Sequence, residues 1–236
     1  MNENPFRVPR SRAFQSHDTM RDEILRALEP LLFGSMQSAY EARANLEQAF
    51  AASVQHSHAI AVHSGTIGLF LMLRACGVGP GDEVITVSNS DISTTAAVRH
   101  CGAEPVLCDV LASDYTLDLS LVEGLITKRT RAIIPVDLHG HPANVKALRP
   151  LADSYQLSIV EDAALAAGAF DYGKPVGAFA DTAIFSFAPF KPLGSAGNGA
   201  MIVTNNEELA TRLRLLVGYG HAFDHTGIPT GRQHYI

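Results

Sequence analysis

Three short stretches hold residues whose types and spacing could do chemistry. In FSFAPFKPLGSAGNG, residues 185–199, Lys191 is the single charged residue between an aromatic run and a glycine-rich loop. An amine in apolar company is either an ordinary loop lysine or one held partly out of water, which is what Schiff-base chemistry needs. In LSIVED, Glu161 and Asp162 end a β-branched run, where one of them either serves a site or caps a helix at AALAAGA. In HSGT, the amides of Gly65, Thr66 and Ile67 would point out of a helix N-terminus. That is a ready setting for an anion, or else an ordinary small-residue turn.

The elements that must position these residues are legible as a pattern. TMRDEILRALEPLLF and SAYEARANLEQAFAASV space apolar residues for two amphipathic helices, with Ser38 as N-cap and Glu41 three residues on. AIAV, DEVITVS, EPVLCDV, RAIIPVD and LSIVED read as short buried strands, alternating with helical stretches at GTIGLFLMLRA, DISTTAAVRHCG, LDLSLVEGLI and ANVKALRPLADSY. DTAIFSF and GAMIVTN are two further strands joined by the Lys191 loop, and NEELATRLRLLV is a closing helix. The expected fold is α/β, a mostly parallel mixed sheet wrapped by helices. Open sheets of this kind bind ligands beyond the carboxyl ends of their strands, where all three stretches fall. A phosphate cradle, a strand-end carboxylate and a later lysine are together the groups that pyridoxal phosphate chemistry uses.

Composition excludes other classes. The 236 residues are 47% hydrophobic and 18% charged, enough for one large domain. A net charge of −6 with no basic run speaks against nucleic acid and against an anionic membrane surface. The opening MNENPFRVPRSRAF has no apolar signal core, and no stretch is apolar for the length of a membrane span. Cys76, Cys101 and Cys108 lack C-x-x-C spacing and read as reduced thiols of a cytoplasmic protein. His139 and His141 have no supporting acid or cysteine at ligand spacing, so no metal site is expected. Asp137 ends a strand, where it either faces the site or caps a turn.

The wording of the stretches adds a resemblance. HSGTIGL, GVGPGDEVIT, GAEPVLCDV, RAIIPVDLHGHPANV, IVEDAA, GAFADTAIFSF and KPLGSAGNGAMIVTN are similar to the DegT/DnrJ/StrS group of pyridoxal phosphate-dependent sugar aminotransferases, within the aspartate aminotransferase superfamily. The resemblance implies that Lys191 is the Schiff-base lysine, that Asp162 faces the pyridine nitrogen, and that Ser186 joins Gly65, Thr66 and Ile67 around the phosphate. It implies an amino-acid donor such as glutamate, a nucleotide-linked keto-sugar acceptor, and a homodimer in the full-length form. Related sugar dehydratases carry histidine at the place of Lys191, which favours transamination.

Two positions depart from the family pattern. Asp91 stands where a ring stacks on the cofactor, and Leu165 stands where a glutamine meets its phenolic oxygen. The family also continues past TGRQHYI, so the expected organisation is an arm and helices over 1–56 and a cofactor-binding domain over 57–220. Residues 221–236 then form a truncated connection toward a small C-terminal domain that is absent. The alternatives to an aminotransferase are a truncated or degenerate homologue acting as a partner or regulator, and a lyase or desulfurase on the same scaffold.

Overall fold

The computed structural model describes residues 18–223 and 229–232. The start of the arm and helices expected over 1–56, residues 1–17, lies outside them. Two helices lead, α1 at Arg21–Phe33 and α2 at Met36–Ser53. The second starts ahead of its expected cap. Ser35 is the residue in extended conformation before it, and Ser38 lies within its first turn.

The body then alternates. β1 is His58–Val62, α3 Gly65–Ala75, β2 Glu83–Val87, α4 Ile92–His100 and β3 Glu104–Cys108. α5 is Leu119–Leu125, β4 Thr130–Ile134, α6 Val145–Ser154 and β5 Ser158–Asp162. A small hairpin follows, β6 at Phe170–Asp171 and β7 at Lys174–Pro175, then β8 at Thr182–Ser186, β9 at Ala200–Thr204 and α7 at Glu207–Val217. β10 at His221–Phe223 pairs with β11 at Pro229–Arg232, so the described part of 221–236 is a small antiparallel ribbon.

Seven strands form one sheet in the order β1-β9-β8-β5-β4-β2-β3. Every strand runs the same way except β9, which is antiparallel to both β1 and β8. β2, β8 and β9 are buried at all five positions, which is why their sequences EVITV, TAIFS and AMIVT lack a simple apolar alternation. The larger apolar cluster joins Leu69, Met72 and Leu73 of α3 and Ala97 and Val98 of α4 to Val84, Ile85, Ile133 and Ile159 of the sheet. A smaller cluster packs Phe50 and Ala51 of α2 on Ala183, Phe185, Met201 and Val203, with the Phe50 and Phe185 rings edge to face at 5.2 Å.

The outer edge of β1 is closed by side chains rather than by another strand. The Ala61 N–H donates to Glu47 Oε1 at 3.0 Å, and Arg214 donates to the Ala59 carbonyl at 3.2 Å and to Glu47 at 3.1 Å. Such plugging blunts an edge that would otherwise recruit another chain.

One expected element is not there. The stretch AALAAGA after Asp162 forms turns, with the Ala166 N–H bonded to the Ala163 carbonyl and the Ala169 N–H to the Ala166 carbonyl, each at 2.9 Å. Alanine's helix preference loses here to the tertiary path between β5 and β6, and Gly168 turns through φ +88°.

Candidate active site

Register assembles the site at the carboxyl edge of the sheet. Asp162 of β5 lies opposite Ile184 of β8, and the two-residue period of a strand puts Ser186 on that same face. Helix α3 lies directly on it. A Cβ on Gly68 would fall 2.3 Å from Ile184 Cδ1, so only glycine lets the helix approach this closely. At the helix tip, a Cβ on Gly65 would fall 3.6 Å from Ser186 Cβ and 3.8 Å from its Oγ. The leading turn of α3 and the Ser186 hydroxyl therefore border one small space.

Ser64 caps this helix, its Oγ accepting from the Ile67 N–H at 3.3 Å. Of the three amides expected at the turn, Ile67's is thus engaged within the cap, and Gly65 and Thr66 lead at the tip. A helix start of this kind concentrates partial positive charge and open donors on an anion.

Asp162 is buried at the end of β5 and held on both oxygens. Thr94 Oγ1 of α4 donates to Oδ2 at 2.8 Å, backed by Ser90 Oγ at 2.8 Å from the threonine, and the Ala164 N–H donates to Oδ1 at 3.2 Å. Burial holds its carboxyl above the ordinary range, while the Thr94 hydroxyl, the Ala164 amide and the Lys191 charge pull it back. This carboxyl keeps a strong claim on a proton while being prepared to carry charge.

Lys191 rises from the β8–β9 connection, half-buried, with its own N–H on the Ala188 carbonyl at 2.8 Å. Ser195 shapes the loop, its N–H and Oγ both donating to the Phe187 carbonyl, at 2.9 and 2.8 Å. The Lys191 amine stands 5.3 Å from the centroid of the Phe190 ring. Its charge bears on both Asp162 and Asp91. Asp91 is the N-cap of α4, with Oδ1 accepting from the Ser93 N–H at 2.9 Å. Its carboxyl is held below the ordinary range by the Ser93 hydrogen bonds, with a smaller contribution from Lys191.

A model of the DegT/DnrJ/EryC1/StrS aminotransferase family matches residues 18–229. The chain belongs to this family. A dTDP-3-amino-3,4,6-trideoxy-alpha-D-glucose transaminase of Streptomyces venezuelae is 51% identical over 174 residues, which is 74% of this chain and 46% of that protein. The structure of S. venezuelae DesV in complex with a ketimine intermediate superposes with a TM-score of 0.86 at 42% identity, covering 98% of this chain and 59% of that one. The structure of NtdA from Bacillus subtilis with bound cofactor PMP superposes at 0.84 with 29% identity, covering 98% of this chain and 52% of that one. The chain spans about half the length of the curated relatives it matches.

Within this family member, the structure brings together Gly65, Thr66, Ser186, Asp162 and Lys191, and sets Asp91 at their margin as a helix cap. Leu165 lies half-buried in the turns after Asp162, its carbonyl 3.0 Å from where a Cβ on Gly140 would stand. Asp137 points away from the site. Val136 bridges Asp162 and shares its face, so Asp137 lies on the opposite one, its Oδ1 accepting from the Ala143 N–H at 2.9 Å. Of the two roles open to it from sequence, tying the turn is the one it fills.

Thr94 and Ser90 were the partners that sequence reading missed. Their signal is a cluster of hydroxyls in SNSDISTT, at the carboxyl end of β2 and in the first turn of α4. Among the described residues, no group of three His, Cys, Asp or Glu side chains is placed to hold a metal ion. Likewise no described helix is long and apolar enough to cross a membrane. The further histidines His225 and His234, toward the end of the sequence, lie outside the described residues.

Proposed function

We propose that this chain is the cofactor-binding part of a pyridoxal phosphate-dependent aminotransferase that moves an amino group from an amino acid, glutamate foremost, to a nucleotide-linked keto sugar. The observation that carries the reading is the convergence, on one face of the sheet, of a buried carboxylate, a helix-tip anion cradle and a loop lysine. The residues fit the cofactor's chemistry. Gly65 and the Ser186 hydroxyl lie side by side at the tip of α3, so a phosphate seated on that tip would meet two amides and a hydroxyl. Asp162 suits a protonated ring nitrogen, since it is dry and the Thr94 hydroxyl, the Ala164 amide and the Lys191 charge all favour the carboxylate form that would pair with it.

When bound, pyridoxal phosphate supplies the electron sink that makes an amino acid's α-hydrogen removable as a proton. This chain's residues do the rest. Gly65, Thr66 and Ser186 would anchor the phosphate, and the Asp162 carboxylate would pair with the protonated ring nitrogen. Lys191 Nζ would hold the cofactor covalently and, as a free amine beside it, would serve as the base that takes the α-proton and the acid that returns it.

We assign 57–220 to the cofactor-binding domain and 221–236 to a connection toward a further domain, which the relatives' greater length supports. The full-length protein on this reading is a cytoplasmic homodimer. Borohydride reduction in the presence of pyridoxal phosphate, followed by peptide mass mapping, should place the label on the peptide containing FKPLG, and Lys191→Ala should lose it. A label confined to other lysines, such as Lys174, would overturn the assignment.

A second reading, a homologue that keeps the fold without the catalysis, draws on Asp91 and Leu165 at the two departing positions. A visible cofactor absorbance without amino transfer by the full-length protein would favour it.

A further inference from the structure

The face of the sheet opposite Asp162 carries a second pair of buried acids that the reaction above does not use. Asp137 and Glu161 are 0% and 2% exposed. Strand alternation explains the pairing: Glu161 precedes Asp162 and Asp137 follows Val136, so both point away from the site toward each other. Each spends one oxygen on a backbone donor. Asp137 Oδ1 accepts from the Ala143 N–H at 2.9 Å, and Glu161 Oε2 accepts from the Gly177 N–H at 3.1 Å.

The remaining Asp137 oxygen, Oδ2, is fully buried and has no donor. Yet the Asp137 carboxyl lies within hydrogen-bonding reach of Glu161. Two carboxylates cannot meet this way in a dry site, because neither offers a hydrogen and their charges repel. A proton on Asp137 Oδ2, donated to Glu161, satisfies both.

We propose that Asp137 and Glu161 share a proton behind the sheet's carboxyl edge, and that this acid–carboxylate pair is the positioning element for Asp162. The linkage is short. The Asp137 N–H donates to the Asp162 carbonyl at 3.0 Å, and the Asp162 N–H donates to the Pro135 carbonyl at 2.9 Å, so the acid pair and the site acid hang on the same backbone ladder. Through Ala143 and Gly177 the pair also ties down the turn after β4 and the turn before β8. Loss of the shared proton would put two negative charges at the junction of these segments.

Other charged groups around the pair are few. Asp162 on the far face and Asp171 of β6 add negative charge, Asp171 being answered by Lys146 and His141, and the His56 ring lies 3.2 Å from where a Cβ on Gly177 would be. Burial raises both carboxyls, Glu161 to about 7 against the hydrogen bonds from Asp137 and Gly177, and Asp137 well above its ordinary value with a further push from the Glu161 charge. The sign of the pH effect follows. A carboxyl that keeps its proton when folded and loses it when unfolded makes folding less favourable as pH rises, tenfold in the folding constant per pH unit for each proton held.

The test is the pH dependence of denaturant unfolding for the chain of residues 1–236, as wild type, Asp137→Asn and Glu161→Gln. Between about pH 5 and 7 the wild-type folding constant should fall about tenfold more steeply per unit than that of either variant, whose amide supplies the missing donor permanently. Equal slopes in all three would overturn proton sharing. Infrared spectroscopy at neutral pH reads the same proton as a protonated-carboxyl carbonyl band in the wild type that persists in Asp162→Asn. Its absence from the folded wild type would overturn the proposal even if the variants fail to fold.

The positioning part rests on the reading of Asp162 above and has its own readout. Pyridoxal phosphate affinity, followed by absorbance, should weaken from neutral to alkaline pH in the wild type and hold level in Asp137→Asn. Parallel pH profiles would overturn the positioning role while the stability slopes stand. If no form of the chain binds pyridoxal phosphate, the reading of the site fails, and proton sharing is still decided by the unfolding slopes.

Discussion

Glu161 and Asp162 are neighbours on one strand, equally buried, and chemically opposite in their surroundings. Asp162 faces a hydroxyl, an amide and a lysine, all of which favour its negative charge. Glu161 faces a second carboxyl and a single amide on the other side of the sheet. Burial alone therefore does not decide what a buried acid does. A strand that alternates its side chains can assign one acid to chemistry and the next to holding the backbone that carries it.

The largest expected effect would break the comparison at its functional side. Asp162→Asn keeps the shape and removes the negative charge, so on the function proposed above transamination should fall about 10²–10⁴-fold, the usual worth of a positioned acid or base. Its melting temperature should be unchanged or higher, because an amide costs less to bury than a carboxyl. A variant of full activity would show that the two acids are alike in being structural.

Thr94→Val is the next step down. It removes a hydrogen bond to a charged group, worth about 1.5–3 kcal/mol, at nearly constant shape. Asp162 is already raised by burial, and losing the hydroxyl that favours its charged form should raise it further. Since such a group holds its proton when folded and releases it when unfolded, stability declines as pH climbs above the ordinary carboxylate range, and the decline should extend to higher pH in Thr94→Val than in the parent. Unfolding curves at several pH values would read this shift. Identical profiles would mean that Thr94 does not set the charge on Asp162.

Gly177→Ala tests the other side of the strand. Its φ of +92° is hostile to any L side chain, and a Cβ would press on Ala183 at 3.1 Å and His56 at 3.2 Å, so a stability loss of about 1–3 kcal/mol is expected. Pyridoxal phosphate affinity of the folded fraction should change far less than in Thr94→Val. A larger change in affinity than in stability would erase the division between the two faces.

Much of this division is invisible in the one-dimensional string. The alternation of strands and helices, the strand-end position of Asp162 and the loop position of Lys191 are local patterns, and they were legible. Which strands become neighbours is not local: the first strand lies at the edge beside antiparallel β9, and β5 lies between β4 and β8. The Thr94–Asp162 bond joins residues 68 apart in sequence, and no spacing rule reaches that far. Asp137 could be placed at a strand end but not on a face, because its orientation depends on where the Val136 bridge sets the register. AALAAGA was misjudged for a related reason, since helix propensity is a weak prior that the chain's path between two paired elements overrides.

The smallest expected effect sharpens the comparison at the margin of the site, where Asp91 does two things that one substitution can separate. As the N-cap of α4 it accepts the Ser93 N–H, a role worth about 0.5–2 kcal/mol of stability. As a carboxylate in range of Asp162 and Lys191, it also adds negative charge beside a site that must accept a phosphate-bearing cofactor. Asp91→Asn keeps the cap and removes the charge, because asparagine caps about as well as aspartate. Asp91→Phe removes both and adds a ring face, worth about 0.5–1.5 kcal/mol beyond area burial if it stacks. The expected order of pyridoxal phosphate affinity is parent, then Asp91→Asn, then Asp91→Phe, over about a tenfold range. The expected order of melting temperature puts Asp91→Phe lowest and the other two together. Absorbance titration and thermal melts of the three proteins decide it. If Asp91→Asn alone matches Asp91→Phe in affinity, the missing ring is immaterial and charge is what Asp91 contributes; if both bind more weakly than the parent, the carboxylate itself belongs to the cofactor's surroundings and not merely to the helix it caps.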